Sequence, residues 1–578
     1  MVFAQETCFA YLKDGFYSAI GILTHENSYA AVSQIISGRP VQPRADSEKS
    51  FRIARAWLSR CLMKDDEERS QEYHWKCDYG PETMLPNRII DVGAESSSIP
   101  RLILSSDMQG RYLALSHCWG IQIYPFITTS KTINLRMQEI ALEDPSLPKT
   151  FTDAILLTRE LGFRYLWIDS LCIIQDSEDD WLHESKLMHE YYGNAVLTIA
   201  VDMASADTEG FLESPRQISN QIRATFNSTN EEQKHPIWGW TLQEQLLSPR
   251  LLQYTATQLV WECKSCEVSE SNRSILEPRN PITKRIHHLP LPEEQDDDSE
   301  TDDQAFNLAL EGWDYLVQEY QHRALTEAMD IFPALSGIAR QFHERSGFNY
   351  MAGLWLEDLH WGLLWSTEGC GRRMATYRAP SWSWASYEIS NPTTPNNGKL
   401  RRWADANQGK RDILLYGSVD QRDCKCKILD CQITLKENDP YGRLTGGHLI
   451  IRARWLLLSA WRGQLPPYCY GKNVSNPRKT QLSLDLDQRC DLPEVNSQLS
   501  MVQIVRYNLD DDDDAYKYHD STNSEGENDS NREARAIWYG LLLLPEENGS
   551  FQRVGVVEIP DVGNLASKGW VKKEVTII

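Results

Sequence analysis

Residues 147–201, LPKTFTDAILLTRELGFRYLWIDSLCIIQDSEDDWLHESKLMHEYYGNAVLTIAV, decide the fold class of this chain. They predict a helix, a buried strand, a polar loop, a second helix and a second buried strand. Apolar residues follow helical spacing from Phe151 onward, and Gly162 stands where a left-handed residue ends a helix. The apolar runs Tyr165–Ile168 and Ala195–Val201 predict strands. Strands that alternate with helices and are apolar on both faces predict an α/β fold with a parallel sheet.

Local signals predict where both helices begin and end. Thr150 predicts an N-terminal cap for the first helix, with Asp153 as the reciprocal acceptor three residues on. Asp179 or Asp180 is expected to open the second helix, which Gly193-Asn194 is expected to end.

Residues 111–120, RYLALSHCWG, predict another buried strand with polar residues at its carboxyl end. Asp169 and Cys172 follow the Tyr165–Ile168 strand in the same way. In open parallel sheets, ligands bind in the crevice beyond the carboxyl strand ends. We therefore expect these polar groups to meet at one edge of the sheet, together with the residues after the first strand: Ser116, His117, Cys118, Trp119 and Gly120.

Charge is distributed unevenly along the 578 residues, which are enough for about two to four domains. The formal net charge of −23 is concentrated in two acidic runs, Glu293–Asp303 and Asp510–Asp529. We expect both runs to be solvated and disordered. No basic stripe accompanies them, so binding of nucleic acid, which needs positive charge to displace phosphate counterions, is not expected.

Targeting signals and cysteine usage predict a cytoplasmic protein. Residues 1–16 lack the basic region and apolar core of a secretory signal, and no window of about 20 apolar residues predicts a membrane span. Thirteen cysteines, an odd number spread over a long chain, indicate reduced thiols rather than a disulfide framework.

Two groups of cysteines raise the question of a metal. Cys61 and the motif His74-x-x-Cys77 offer three ligands, whereas a structural zinc site takes four at tighter spacing. The motif Cys263-x-x-Cys266 has no matching second pair nearby. Packing of buried thiols is the preferred interpretation, with a metal at the first group as the alternative. No metal or other cofactor is expected.

Changes in composition predict the organisation of the whole chain. The expected order is an N-terminal extension of mixed structure over residues 1–104, an α/β domain over 105–265, an acidic linker over 266–305, a helical and aromatic segment over 306–387, and a β-rich region over 388–578 with an acidic disordered loop at 508–532. Within the β-rich region, Glu547-Asn548-Gly549 predicts a hairpin connection.

Five motifs, which follow one another in this order along the chain, closely resemble those of the fungal heterokaryon incompatibility (HET) domain. They are YLALSHCWG from residue 112, LPKTFTDAI from 147, LGFRYLWIDSLCIIQDSEDDW from 161, YGNAVLTIA from 192 and GWTLQEQLLSPR from 239. The motif residues carried over are Ser116, His117, Cys118, Trp119, Gly120, Trp167, Asp169, Cys172, Gln175, Asp176, Trp181, Trp240, Gln243, Glu244 and Arg250. The family usually has Arg before the last motif, where this chain has Trp238.

The resemblance implies a role in fungal self/non-self recognition after hyphal fusion, where HET domains trigger a cell-death response. It also implies a fold distantly similar to Toll/interleukin-1 receptor (TIR) domains. Some TIR-like domains cleave NAD at the nicotinamide glycosidic bond with a Glu on a helix.

One hypothesis is therefore enzymatic, with NAD as substrate and Glu184 and Asp169 as catalytic candidates. A carboxylate can stabilise the oxocarbenium-like state of such a cleavage. The competing interpretations are a solvated helix face for Glu184 and a loop cap for Asp169. Thiol catalysis is disfavoured, because adjacent strand residues such as His117 and Cys118 point to opposite faces.

The second hypothesis, which we favour, is a death-signalling module. It would self-associate or bind protein partners, while the C-terminal region senses a partner. In that case Trp119, Trp167 and Trp181 are core or interface anchors.

Overall fold

The structure, a computed structural model, describes the chain in segments that fall into two compact units, 1–284 and 285–578. The described residues are 7–11, 17–21, 39–63, 74, 77–78, 80–93, 99–120, 126–204, 206–216, 239–271, 300–321, 323, 325, 327–367, 371–389, 401–402, 426–460, 483–486, 498–508, 536–560 and 569–578.

The first unit combines short strands with helices. Its described strands are β1 (Thr7–Tyr11), β2 (Tyr17–Gly21), β3 (Thr83–Met84), β4 (Arg88–Asp91), β5 (Arg101–Leu104), β6 (Gln109–Gly110), β7 (Tyr112–Ser116), β8 (Tyr165–Trp167), β9 (Leu197–Val201), β10 (Arg250–Tyr254), β11 (Leu259–Cys263) and β12 (Glu267–Ser269). Its described helices are α1 (Glu48–Cys61), α2 (Ile133–Gln138), α3 (Lys149–Glu160), α4 (Asp169–Cys172), α5 (Glu178–Asn194) and α6 (Gly239–Leu247).

Eight of these strands form one mixed sheet in the order β12-β11-β10-β9-β7-β8-β4-β5. The central strands β8, β7, β9 and β10 are parallel to one another. The edges are antiparallel, since β4 runs against β8 and β11 against β10. The α/β fold is thus confirmed, and the prediction of a parallel sheet holds only for its centre. Short connections such as that between β10 and β11 allow antiparallel pairing without a crossover helix.

Chain connectivity places a switch point between β7 and β9. Counted along the chain, the parallel strands stand in the order 2-1-3-4, which matches the first four strands of the 2-1-3-4-5 order of flavodoxin-like sheets. Both strands beside the switch point are buried along their whole length. The edge strands β4 and β5 come from residues before 105, so this part of the chain contributes to the same sheet.

The ends of the two helices within residues 147–201 partly follow the sequence signals. Gly162 has φ +81°, as the helix end requires. The capping prediction at Thr150 is wrong: the cap position is Pro148, two residues earlier, and it makes no side-chain cap. Asp153 instead accepts from the backbone N–H groups of Phe211 (2.8 Å) and Leu212 (3.0 Å), a loop that the local pattern could not reveal.

The second helix, α5, begins at Glu178, slightly before the predicted start. The side chain of Ser177 caps it by accepting from the N–H of Asp180 at 3.3 Å. The first turn carries three acidic residues, which the helix dipole stabilises there.

The second unit joins a helical, aromatic part to a large, mostly antiparallel sheet. Its described helices are α7 (Glu300–Gln321), α8 (Ser336–Ser346) and α9 (Leu359–Gly362). Its described strands are β13 (Tyr350–Met351), β14 (Leu354–Trp355), β15 (Trp365–Ser366), β16 (Gly371–Arg373), β17 (Tyr387–Ile389), β18 (Arg401–Arg402), β19 (Lys427–Leu435), β20 (Leu444–Leu457), β21 (Ser483–Leu486), β22 (Ser500–Asn508), β23 (Ala536–Pro545), β24 (Phe551–Pro560) and β25 (Val571–Ile577).

The mostly β C-terminal region is confirmed. Strands β19-β20-β22-β23-β24-β21 form one sheet, and β25 pairs with β20 and β24. The predicted hairpin at Glu547-Asn548-Gly549 joins the antiparallel strands β23 and β24, and Gly549 has φ +84°. In the helical part, the indole N–H groups of Trp313 and Trp384 both donate to the carbonyl of Gly353, at 3.1 and 2.9 Å.

The acidic runs lie mostly outside the described residues. The first run ends inside α7, which begins at Glu300, so its last residues are helical rather than disordered. The run at Asp510–Asp529 and residue Trp238 are outside the described part of the chain. None of the described helices is long and apolar enough to cross a membrane.

Candidate functional site

The carboxyl ends of β7 and β8 bring His117 and Asp169 close together. His117 Nδ1 lies 4.0 Å from Asp169 Oδ1, beyond hydrogen-bond distance. The imidazole packs edge-on against Phe151, with ring centroids 5.2 Å apart, and its Nε2 has no hydrogen-bond partner in the described chain. Burial lowers the pKa of His117 to about 3. His117 is therefore neutral near pH 7.

Asp169 is the carboxylate of this edge, and it begins the short helix α4. It accepts from the N–H of Ser170 at 2.7 Å and from the indole N–H of Trp119 at 3.0 Å. Burial raises the pKa of Asp169 to about 6, although both hydrogen bonds lower it. The edge thus holds a group that changes charge close to neutral pH. Trp119 is 37% exposed, and the following Gly120 has φ +72°.

Glu244 acts on the same tyrosine, Tyr192, as Asp169 does. The sequence motif alone did not indicate this relationship. Glu244 is buried on α6 beside Gln243. Tyr192 donates its hydroxyl to the carbonyl of Leu115 at 3.1 Å. Burial, and then the charges of Glu244 and Asp169, raise the pKa of Tyr192 well above its usual value. Tyr192 therefore lies within electrostatic reach of both carboxylates.

Glu184, the other catalytic candidate, is held by internal hydrogen bonds and is only 2% exposed. Its carboxylate accepts from Asn87 Nδ2 at 2.9 Å and from the hydroxyl of Tyr191 at 2.8 Å. Arg88 Nη2 lies 3.3 Å from the same carboxylate. The interpretation of Glu184 as a solvated helix face is therefore wrong. These contacts fix the position of the carboxylate inside the unit.

The remaining polar motif residues stabilise loops at this edge. Ser116 ends β7 and is buried, as is Cys118. Gln175 donates its side-chain amide to the carbonyl of Asp169 at 3.1 Å. Asp176 accepts from the N–H (2.6 Å) and the hydroxyl (2.7 Å) of Ser130. Burial raises the pKa of Cys172 to about 12, so this thiol is protonated near neutral pH.

The three tryptophans behind the edge have packing roles. Trp167 is fully buried between Tyr191 and Tyr192, with ring centroids 5.3 Å from each. Trp181 on α5 meets Trp240 on α6 edge to face, at 6.2 Å between ring centroids. Trp181 and Trp240 thus join α5 to α6.

Arg250 connects the HET-like motifs to a second group of side chains. It begins β10 and is 1% exposed. Its Nε lies 3.1 Å from Cys61 Sγ, and its Nη1 donates to the carbonyl of Val196 at 3.2 Å. Its Nη2 donates to the carboxylate of Asp78 at 3.0 Å. A buried guanidinium thus joins the end of α1, the residue before β9 and the residue after Cys77.

The second group collects the cysteines that the sequence left apart. Cys61, His74, Cys77 and Cys263 are buried, and their ligand atoms all lie within 4.8 Å of one another. Cys266 Sγ lies 3.5 Å from Cys263 Sγ. Spacing could not unite the two groups, because His74 and Cys263 are 189 residues apart. The sequence signal that could have predicted this group is the presence of both an H-x-x-C motif and a C-x-x-C motif in one chain.

The fold and these residues define an α/β domain whose mixed sheet has a parallel centre, with polar groups at the carboxyl ends of the central strands. The family model described as Heterokaryon incompatibility protein (HET) matches residues 112–273. These residues are therefore a HET domain, and the resemblance read from the motifs is confirmed. Comparison with curated proteins and with solved structures finds no match.

Proposed function

We propose that this chain is a heterokaryon incompatibility-type protein whose HET domain is a signalling module of fungal self/non-self recognition. On this proposal the HET domain triggers programmed cell death through protein contacts, and the second unit senses a partner. The observation that carries the proposal is the HET match over residues 112–273. We place the protein in the cytoplasm, where its buried thiols, which form no disulfide among the described residues, would stay reduced.

The geometry of the motif residues favours a role in protein–protein contact over a role in catalysis. Glu184, Gln175 and Asp176 are each hydrogen-bonded within the domain, so their roles are structural. Trp119, in contrast, is 37% exposed and held in place by its bond to Asp169. Aromatic side chains of this kind are enriched among the residues that dominate protein interfaces. We propose Trp119 as a contact residue for self-association or a partner.

The test is induced expression of the full chain in a filamentous fungus. We expect the wild-type chain to kill hyphal cells, measured by uptake of a vital dye. Trp119→Ser should reduce killing at equal protein level, whereas Tyr315→Ser, which changes an exposed aromatic residue of the second unit, should not. Viable cells at high wild-type expression would contradict the proposal.

A second candidate function is cleavage of NAD at the nicotinamide glycosidic bond, and Asp169 is the observation that favours it. Asp169 lies at the carboxyl end of a parallel strand, next to the switch point where doubly wound sheets bind nucleotides. Its carboxylate would stabilise the oxocarbenium-like state, and Trp119 would offer a stacking surface. The strand order 2-1-3-4 supports our proposal that the centre of the sheet is TIR-like.

An assay of nicotinamide release by the purified chain distinguishes NAD cleavage from signalling by protein contact. An NAD-cleaving enzyme releases nicotinamide from NAD, and Asp169→Asn should abolish the release while the protein stays folded. If expression of the wild-type chain kills cells but the concentrated purified protein releases no nicotinamide, NAD cleavage is excluded as the cause of death.

A further inference from the structure

We propose that Cys61, His74, Cys77 and Cys263 bind one zinc ion, which ties the segment before the HET match to an edge of the HET sheet. The four residues come from three places: the end of α1, the His74-x-x-Cys77 motif and the end of β11. Each is at most 7% exposed.

The distances within the group fit tetrahedral zinc. With Zn–S bonds of about 2.3 Å and Zn–N bonds of about 2.0–2.1 Å, ligand atoms stand about 3.8 Å apart for two sulfurs and about 3.6 Å for sulfur and nitrogen. His74 Nδ1 lies 3.5 Å from Cys263 Sγ and 4.0 Å from Cys77 Sγ. All four ligand atoms lie within 4.8 Å of one another. A zinc ion therefore needs only small movements of these side chains.

The donor set selects the metal and its role. Three sulfurs and one imidazole nitrogen suit zinc, whereas magnesium and calcium prefer oxygen ligands. The four protein ligands leave no position for water or substrate, and their burial excludes solvent. The site is thus structural rather than catalytic.

Neighbouring groups supply what a zinc site needs around its ligands. Three thiolates and a neutral imidazole leave the zinc centre with one net negative charge. The guanidinium of Arg250 lies 3.1 Å from Cys61 Sγ and offsets this charge. Cys77 Sγ lies 3.4 Å from the hydroxyl of Ser265, which can donate to the sulfur. Such outer hydrogen bonds orient the ligands and stabilise the metal centre.

Cys266 is the fifth sulfur, and we place it outside the coordination sphere. Its Sγ lies 3.5 Å from Cys263 Sγ, where its thiol can donate to the coordinated sulfur. The two sulfurs are not a disulfide, which requires about 2.05 Å. The assigned ligands are instead the four whose atoms lie mutually within 4.8 Å.

The position of the site indicates its effect on the fold. α1 packs against β11, and zinc would join Cys61 at the end of α1 to Cys263 at the end of β11. A metal that binds only the folded state adds its binding free energy to folding. The zinc would therefore hold the N-terminal segment on the edge of the sheet beyond β10.

Metal analysis of the full-length chain tests the proposal. The protein is produced without a histidine tag, given Zn²⁺, desalted and measured by inductively coupled plasma mass spectrometry. We expect one zinc per chain. Replacement by Co²⁺ should give the intense visible absorption of a tetrahedral thiolate site. A folded chain that retains no zinc, or a weakly absorbing octahedral cobalt spectrum, would overturn the proposal.

Single variants test the ligand set. Cys61→Ser, Cys77→Ser, Cys263→Ser and His74→Gln should each weaken zinc binding by at least about tenfold. Cys266→Ser should retain one zinc, as should Cys426→Ser, a buried cysteine of the second unit. Loss of zinc in Cys266→Ser with retention in Cys61→Ser would overturn the assigned set.

Alkylation of the wild-type chain tests the site even if the variants do not fold. With zinc bound, Cys61, Cys77 and Cys263 should resist a thiol reagent, and a strong zinc chelator should make all three reactive. Mass spectrometry of the labelled peptides reads out the change. Equal labelling before and after chelation would contradict zinc coordination.

Discussion

Arg250 Nε lies 3.1 Å from Cys61 Sγ, inside the first unit. Arg250 is the last residue of the HET motif set, and Cys61 is the last residue of α1, well before the HET match begins. The contact explains why an arginine stands at this buried position: its planar group serves a sulfur, a carbonyl and a carboxylate at once.

Arg250→Met should therefore lower the free energy of unfolding of the first unit by about 2–4 kcal/mol, because hydrogen bonds to a buried charge are lost. Arg250→Lys should recover only part of the loss, since an ammonium cannot reach all three partners together. Denaturant unfolding measures both. Arg55→Met, which removes a half-exposed arginine on α1, is the control and should change little. Wild-type stability in Arg250→Met would contradict the structural role.

Tyr191→Phe should destabilise the first unit by about 1–3 kcal/mol, because Glu184 would stay buried without one of its donors. The phenyl ring keeps the packing against Trp167. Thermal unfolding followed by circular dichroism measures the change. Tyr315→Phe, at a 41% exposed position, should leave the transition unchanged. An unchanged transition in Tyr191→Phe as well would show that the hydrogen bond from Tyr191 to Glu184 does not stabilise the first unit.

Asp169→Asn should change how stability depends on pH. Burial raises the pKa of Asp169 to about 6 from its usual 3.8, so the folded state binds more protons between these values. Its contribution to stability is present at low pH and is lost as pH rises through the folded pKa. When the pH rises from about 5 to about 7.5, the free energy of unfolding should fall by about 1 kcal/mol more in the wild type than in Asp169→Asn.

Denaturant unfolding at both pH values tests this difference. Asp176→Asn is the control: bonds from Ser130 lower the pKa of Asp176, so its contribution is lost only in more acidic solution. Identical pH profiles for wild type and Asp169→Asn would show that Asp169 stays ionised over this range.

Gly353→Ala should destabilise the second unit. A Cβ there would lie 2.6 Å from the indole nitrogen of Trp384, at a backbone φ of +89°. Gly347→Ala is a matched control, because its φ is +72° but nothing lies within 4 Å of the added carbon. The control should cost about 1 kcal/mol for the left-handed conformation alone. Equal losses of stability in the two variants would contradict a clash with Trp384.

Local patterns in the sequence were enough for the centre of the HET domain. The runs that became β7, β8 and β9 are apolar and continuous, and Gly162 marks its helix end, so periodicity and turn chemistry sufficed. The same signals placed Asp169 and His117 at one edge, as the structure has them.

Features that depend on distant parts of the chain could not be predicted in this way. The pairing of β4 with β8 gives the sheet its antiparallel edge, and no local pattern encodes a partner strand. Asp153 looked like a capping acceptor because its loop partners lie 58 and 59 residues away. The cysteine group forms only when the fold brings β11 to the end of α1.

Our central proposal is that the HET domain signals by protein contact rather than by chemistry at Asp169 and Glu184. The most direct measurement is the death of fungal cells that express the full chain with Asp169→Asn and Glu184→Gln together, with cellular NAD measured in parallel. We predict killing at the wild-type level and unchanged NAD, at equal amounts of folded protein. Loss of killing in the double variant, together with a wild-type fall in NAD that the variant lacks, would contradict the account.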